Sequence, residues 1–146
     1  MKIRSSYIQN NYGSVLRALI LAHKPKLVVE CGVLDGYSTF NIAHALRFNR
    51  NKRCRFSEFY AFDIWDDYEY KHGNYDDVSN MLLAHDLHKY VNLCKGDAFE
   101  VSDKFKDRHI DFLHMDISND GDKLLKTLDV WGKLISYDGI IAFEGG

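Results

Sequence analysis

The stretch "LVVECGVLDGYSTF", residues 27–40, decides how this chain folds. It opens as a short apolar run, which predicts a buried strand, and "YSTFNIAHALRF" (37–48) then reads as a helix. Between the two lies a turn that carries Gly32 and Gly36, and the strand leaves through an acid, Glu30. Glycines permit a tight turn and a close approach by a ligand. This segment therefore predicts the first strand–turn–helix unit of a parallel sheet.

Helical and strand patterns alternate along the rest of the chain. The predicted strands are 26–31, 59–65, 91–96, 109–117 and 140–144, and the predicted helices are 6–23, 37–48, 78–90, 98–105 and 122–135. We interpret "YDG" (137–139) as a turn before the last strand, and Ser118 or Asn119 as the N-cap of the last helix. Parallel neighbours need crossover connections, so this order predicts an α/β fold. We expect a three-layer αβα, Rossmann-like, mostly parallel sheet of five strands in one domain, 1–146.

Composition limits the partners that the chain is expected to have. The net charge is -2, which gives no general attraction to nucleic acid or anionic lipid. We interpret the basic segment "RFNRNKRCR" (47–55) as a solvated loop rather than a nucleic-acid contact. The first residues lack the apolar core of a signal peptide, and no apolar run approaches the roughly 20 residues that span a bilayer. The three cysteines form no CxxC pair. These features predict a soluble, cytoplasmic protein.

The chain ends directly after its last apolar strand, "IIAFE" (140–144). A bare apolar edge strand promotes aggregation unless something covers it. We expect this chain to be a fragment whose covering segment belongs to the rest of a longer protein. The alternative is a homo-oligomer in which a second copy pairs with this edge.

Acids follow the second and third predicted strands as well as the first. Asp63 ends "YAFD" and Asp97 follows "VNLCKG". The carboxyl ends of parallel strands meet at one edge of the sheet, where ligands of such folds bind. An acid at the position of Asp63 suits a bidentate hydrogen bond to two ribose hydroxyls, and Ile64 beside it suits an adenine face. The alternative is that Asp63 only caps a loop.

Asp97 suits the amino group of an adenine, with Ala98 and Phe99 beside it lining the pocket. The alternative function for Asp97 is the N-cap of the following helix, and one carboxylate can serve both. Glu30 indicates the charge of the ligand, because a carboxylate repels a pyrophosphate and attracts an ammonium or sulfonium. The turn is not the G-x-G-x-x-G dinucleotide fingerprint, since residue 34 is Leu. The alternative here is an ordinary turn with a surface acid.

The motifs "VVECGVLDGYST", "YAFDIW", "KGDAF" and "IDFLHMDISNDGDKLLKTLDVWGKLISYDGIIAFEGG" resemble the class I, Rossmann-like S-adenosylmethionine (SAM)-dependent methyltransferases. The resemblance covers about residues 24–146. It implies that the glycine turn holds the methionine part of SAM, that Asp63 holds the ribose and that Asp97 holds the adenine amino group. The turn residues predicted to bind SAM are Glu30, Gly32, Gly36 and Ser38. The chain departs from the family where Val33, Leu34 and Asp35 replace a central glycine, and where two further strands are lacking.

The substrate side is similar to the metal-assisted O-methyltransferases of small molecules and sugars. That resemblance implies that Asp116 and Glu144 bind a divalent cation, for which magnesium is the expected ion. The usual neighbour of the second acid does not match, because Gly145 stands there, and Asp120 is the candidate to replace it. The alternative is that these two acids only position the substrate. Without a metal a base is needed, and His114 is the nearest histidine, although a core histidine is the alternative.

We therefore predict methyl transfer from SAM to a hydroxyl group of a small molecule or sugar, with magnesium assistance and metal-free transfer both left open. Two alternatives belong to other classes. A non-catalytic module would bind SAM, or nothing, and serve assembly. A nicotinamide-dependent oxidoreductase would use the same sheet, but Glu30 and the missing dinucleotide fingerprint disfavour it.

Overall fold

A computed structural model describes residues 11–51, 56–67, 73–118 and 120–144. The helices are α1 (Tyr12–His23), α2 (Tyr37–Asn51), α3 (Tyr75–Ala84) and α4 (Gly121–Trp131). The strands are β1 (Leu27–Cys31), β2 (Glu58–Asp63), β3 (Asn92–Lys95), β4 (Ile110–Met115) and β5 (Ile135–Phe143). Short 3₁₀ helices lie at Trp65–Asp67, His88–Tyr90, Val101–Phe105 and Gly132–Leu134. None of the described helices combines the length and apolar character that crossing a membrane requires.

The five described strands form one parallel sheet in the order β3-β2-β1-β4-β5. The chain moves outward from β1 through β2 to β3, then crosses to the other side of β1 for β4 and β5. The strand order therefore reverses between β1 and β4, and ligands bind at the carboxyl ends beside such a switch point. The predicted αβα, Rossmann-like fold is confirmed. Association of a second copy through β5, the edge strand, stays a prediction.

Helices cover both faces of the sheet because the strands are apolar on both sides. On one face α1, α2 and α3 pack over inward side chains such as Val28 and Phe112. On the other face α4 and the 3₁₀ helix Val101–Phe105 pack over side chains such as Val29 and Leu113. Successive strand residues point to opposite faces. This alternation decides where each acid at a strand end points.

The predicted turn at 137–139 is wrong, because β5 runs through it from Ile135. The pairing of β4 with β5 shifts register between Ile110 and Phe112. Gly139 lies at this irregularity, where a Cβ atom would come within 2.9 Å of the Ile110 carbonyl oxygen. The glycine serves a close approach of two strand backbones rather than a reversal of the chain.

The caps of two helices differ from the prediction. The helix predicted over 78–90 begins at Tyr75, because the Asn74 side chain accepts hydrogen bonds from the first backbone N–H groups. The N-cap of α4 is Asp120, whose carboxylate accepts from the backbone of Asp122. It is not Ser118, and Asn119 lies outside the described residues.

Two other predicted helices differ in extent. The helix predicted over 98–105 forms only the 3₁₀ turn Val101–Phe105. Of the helix predicted over 6–23, Tyr12–His23 is helical, and residues 6–10 lie outside the described part of the chain.

Candidate functional site

A cavity of about 270 Å³ opens at the carboxyl ends of β1 to β4, beside the point where the strand order reverses. Each of these four strands contributes to it through the residues at its tip. Its walls consist of Gly32, Leu34, Phe62, Asp63, Ile64, Gly96, Asp97, Ala98, Phe99, Asp116, Ile117 and Lys123. Seven residues predicted to bind cofactor or substrate therefore meet in one place, and three of them are carboxylates.

Gly32 brings the tip of β1 against the tip of β4. Its φ is +96°, a conformation that side chains rarely adopt, and a Cβ atom would overlap the backbone carbonyl of Asp116. Gly36 has a φ of +81°, but a Cβ atom there would meet the Met81 and Val78 side chains of α3. Gly36 therefore shapes the turn from outside, and it is not among the residues that line the cavity.

Asp63 fastens the glycine turn to β2. Its Oδ2 accepts hydrogen bonds from the backbone of Val33 at 2.7 Å and of Leu34 at 2.8 Å, and its Oδ1 accepts from Trp65 N at 2.8 Å. A carboxylate has about four acceptor positions, so about one remains for a ligand. The structure leaves room for one ribose hydroxyl, not for the two that the predicted bidentate contact requires.

Asp97 is both a cap and a part of the cavity wall. Its Oδ1 accepts from the backbone of Phe99 at 2.8 Å and of Glu100 at 3.4 Å. The next residue, Ala98, is held from below, because the buried Trp131 indole donates to the Ala98 carbonyl at 3.1 Å. The Lys126 ammonium lies 4.0 Å from the centroid of the Phe99 ring. These contacts fix an apolar surface beside Asp97 and Ile64, which is the kind of surface an adenine needs.

Glu30 does not reach the cavity. It is 0% exposed, the Thr39 hydroxyl donates to its Oε2 at 2.5 Å, and its Oε1 lies 3.0 Å from Nδ1 of His114. The alternation of β1 explains this position, because Glu30 shares the inward face of Val28 and lies under α2. The predicted contact of Glu30 with an ammonium group therefore has no path in this structure.

Two further predicted site residues are buried away from the cavity. Ser38 is 3% exposed and is not among the lining residues. His114 is 0% exposed, and its neighbour across the sheet is Glu30, with which it pairs in register. A base must come within hydrogen-bond reach of the acceptor. The structure corrects the prediction of His114 as that base and makes it a hydrogen-bonded core histidine.

Asp116 and Glu144 end neighbouring strands on one face of the sheet. Asp116 lines the main cavity, whereas Glu144 lines an adjoining cavity of about 180 Å³. The pKa of Tyr12, at the start of α1, lies above its ordinary value. Burial of the phenol is the largest cause, and the negative charges of Asp116 and Glu144 raise the pKa further. Within the described ranges, no group of three or more His, Cys, Asp or Glu side chains is arranged to hold a metal ion.

The prediction from sequence missed six residues of this region. Five line the main cavity, namely Leu34, Phe62, Gly96, Ile117 and Lys123, and the sixth is Tyr12, whose pKa the two acids raise. Leu34 stands two residues after the turn glycine Gly32 and has a positive φ of 51°. Its place inside the glycine turn is the sequence feature from which its role in the cavity wall could have been predicted. Nothing in the sequence pattern around Tyr12 or Lys123 distinguishes them from other residues of amphipathic helices.

Comparisons with known proteins show the family to which this chain belongs. A family described as "Methyltransferase domain" matches residues 29–144. A methyltransferase from Geobacter sulfurreducens is 22% identical with a TM-score of 0.69, over 90% of this chain and 58% of that one. The O-methyltransferase TomG from Streptomyces achromogenes, in complex with SAM, is 15% identical with a TM-score of 0.71, over 91% and 54%. No curated protein matches the chain.

A third solved structure has the same fold and a related ligand. The O-methyltransferase from Bacillus cereus, in complex with S-adenosylhomocysteine (SAH), is 18% identical with a TM-score of 0.69, over 95% of this chain and 56% of that one. At these identities the likeness shows the fold alone. The chain spans somewhat more than half the length of these three structures.

Proposed function

The chain belongs to the methyltransferase domain family, and from this membership we propose that it transfers the methyl group of SAM to a hydroxyl group of a small molecule or sugar. The use of SAM is supported by the solved structures of this fold that contain SAM or SAH. The choice of a hydroxyl acceptor is supported by the names of two of these relatives, which are O-methyltransferases.

One observation carries the proposal: a glycine turn and three carboxylates surround a single cavity at the switch point of the sheet. SAM, when bound, supplies an electrophilic methyl group on a sulfonium. The residues fit such a ligand, because the negative charges of Asp63, Asp97 and Asp116 attract a cation. In this proposal Asp63 accepts from a ribose hydroxyl, Asp97 accepts from the adenine amino group, and Gly32 lets the methionine part approach the backbone.

The apolar walls complete the proposed cofactor site. Ile64, Ala98 and Phe99 line the cavity together with Asp97, and their apolar side chains would pack against the adenine ring. Gly36 and Ser38 act on the turn rather than on the ligand. Asp116, at the tip of β4, lines the same cavity and would lie on the side from which the acceptor approaches.

Asp116 and Glu144 form the acceptor side of the proposed site. Both raise the pKa of Tyr12, and β1 lies between the strands that end near them, β4 and β5, and the strands that lead to Asp63 and Asp97, β2 and β3. Asp116 accepts the proton of the acceptor hydroxyl as the oxygen takes the methyl group, and Glu144 orients the acceptor. Holding the oxygen and the methyl carbon about 3–3.5 Å apart and in line supplies much of the acceleration.

Magnesium is the one predicted cofactor for which the described residues do not assemble a site. Asp116 and Glu144 are two donors, and no third His, Cys, Asp or Glu side chain joins them among the residues that the structure describes. No step of the proposed reaction is therefore assigned to a metal. If methyl transfer falls after EDTA and returns with magnesium, the metal belongs to the reaction after all.

The experiment has two parts. Calorimetric titration with SAM, SAH and NAD measures which ligand the cavity prefers, and SAM carrying a tritiated methyl group measures transfer to catechol and sugar acceptors. We expect binding of SAM and SAH, and a labelled hydroxyl product. A preference for NAD would support the oxidoreductase. Binding of SAM without transfer to any acceptor would support the non-catalytic module.

A further inference from the structure

Three buried polar side chains form a continuous chain of hydrogen bonds beneath the glycine turn. The Thr39 hydroxyl donates to one oxygen of Glu30 at 2.5 Å, and the other oxygen lies 3.0 Å from Nδ1 of His114. All three residues are 0% exposed. They come from three different elements, since Thr39 is on α2, Glu30 on β1 and His114 on β4.

The three hydrogen-bonded residues stand at regular distances in sequence from the residues of the turn and the cavity. Glu30 stands two residues before Gly32, and His114 stands two residues before Asp116. Thr39 stands three residues after Gly36, where the turn ends and α2 has begun. The hydrogen bonds therefore join β1 and α2, which lie on the two sides of the turn, to β4, which leads into Asp116.

Burying a carboxylate is costly unless its oxygens are satisfied. Here Thr39 and His114 satisfy both oxygens of Glu30, so the carboxylate and its two partners are bound to fixed positions. An apolar side chain would fill the same space without joining these elements. The chain of hydrogen bonds thus constrains the geometry of the turn, beyond what packing alone provides.

We propose that Thr39, Glu30 and His114 are positioning residues for the cofactor site: they hold the glycine turn against the tip of β4, and Glu30 acts through its two partners rather than by touching the cofactor. This inference rests on the proposed function, in which the cavity binds SAM. It replaces the contact between Glu30 and the ammonium group of SAM that the sequence predicted.

Thr39 separates the two accounts. It is buried and does not line the cavity. If Glu30 contacts the cofactor directly, loss of the Thr39 hydroxyl leaves the contact in place. If Glu30 is a positioning residue, the same loss loosens the turn, and SAM must then order it again on binding.

The test compares Thr39→Val with Thr39→Ser in the whole chain. Val keeps the shape and removes the hydroxyl, whereas Ser keeps the hydroxyl. The matched control is Asn49→Leu, because Asn49 is also a buried polar residue of α2, 4% exposed, whose side-chain amide donates to the Ile20 carbonyl of α1 and which lines neither cavity. The readouts are the dissociation constants of SAM and SAH by calorimetry and the Tm of each variant.

We expect Thr39→Val to raise the dissociation constants of SAM and SAH about tenfold, equivalent to about 1.4 kcal/mol of binding free energy. Thr39→Ser should bind within about threefold of the wild type, equivalent to about 0.7 kcal/mol. Asn49→Leu should lower the Tm and leave both dissociation constants unchanged. A purely structural role predicts instead that Thr39→Val behaves like Asn49→Leu, with a lower Tm and unchanged dissociation constants, and that result overturns the inference.

Glu30→Gln provides a second test that does not depend on the folding of Thr39→Val. The Gln oxygen can still accept from Thr39, and its amide can donate to Nδ1 of His114. The positioning account therefore expects SAM affinity within about threefold of the wild type. A loss of about tenfold or more in Glu30→Gln, with wild-type affinity in Thr39→Val, identifies a direct charge contact and overturns the inference. Failure of the wild type to bind SAM contradicts the proposed function itself.

Discussion

Asp63 at the end of β2 accepts a hydrogen bond from the backbone N–H of Val33 in the turn after β1, with 2.7 Å between Oδ2 and N. The neighbouring N–H of Leu34 donates to the same oxygen. One carboxylate therefore fixes the turn of the neighbouring strand and also lines the cavity. The residue predicted to hold the ribose therefore fixes the turn, and a bound ribose would have to use the acceptor positions that the turn leaves open.

Asp63→Asn should weaken SAM by about 1.5–3 kcal/mol, because the amide loses a charged acceptor and presents N–H groups where the turn also presents N–H groups. Calorimetry measures the change. The matched control is Asp111→Asn at the opposite end of the sheet, where Asp111 also accepts from two consecutive backbone N–H groups, those of Lys26 and Leu27. Equal losses of SAM affinity in both variants would show that the effect is one of stability alone.

Gly32→Ala should abolish SAM binding or unfold the tip of the sheet. The new methyl group would overlap the Asp116 carbonyl, and the φ of +96° adds strain. Such overpacking costs about 1–3 kcal/mol or more. Thermal unfolding and calorimetry measure both effects. Gly121→Ala is the control, because a Cβ atom at Gly121 meets nothing within 4 Å. Wild-type affinity in Gly32→Ala would mean that the tips of β1 and β4 are farther apart.

The pH dependence of stability should change in Asp111→Asn. Burial raises the pKa of the Asp111 carboxyl, but hydrogen bonds from the Ser136 hydroxyl and two backbone N–H groups outweigh it, so the pKa lies below its ordinary value. A lowered pKa in the folded state stabilises the protein above the unfolded pKa, and this contribution is lost as pH falls through the folded pKa. The free energy of unfolding should therefore fall less steeply below about pH 4 in Asp111→Asn than in the wild type. Identical slopes in acid denaturation would contradict the assignment.

Asp116→Asn should slow methyl transfer by about 10²–10⁴-fold if Asp116 accepts the proton of the acceptor hydroxyl. The rate of SAH formation with an active acceptor measures turnover, and calorimetry measures SAM binding separately. Asp138→Asn is the control, because Asp138 is exposed and lies before the Gly139 irregularity, away from the tip of β5. A loss of turnover no larger than the loss of SAM affinity would make Asp116 a binding residue only.

The sequence predicted the order of helices and strands and the parallel sheet, because apolar runs and helical spacing alternate without interruption. The predictions from sequence are wrong where tertiary contacts determine the bounds of an element. The strand β5 begins at Ile135 because it pairs with β4, and the sequence "YDG" has the composition of a turn although Gly139 serves a close strand contact. Caps depend on side-chain geometry, which explains why Asp120 rather than Ser118 caps α4.

The candidate site was predictable only in part. The carboxyl ends of the strands brought Asp63, Asp97 and Asp116 together, since parallel strands place their tips at one edge. The sequence could not say which way Glu30 points, because that depends on the register of β1 and on the presence of Thr39 and His114 beneath it. Tyr12 lies far from the acids in sequence, and only the packing of α1 brings it to them.

The most direct test of the central claim is a crystal structure of this chain with SAH, since that claim is the convergence of the strand tips on one nucleoside. We predict that SAH fills the cavity, that Asp97 accepts from the adenine amino group, and that Asp63 accepts from a ribose hydroxyl while it still binds Val33 and Leu34. SAH bound elsewhere, or bound here with neither carboxylate within hydrogen-bond distance, would contradict the account.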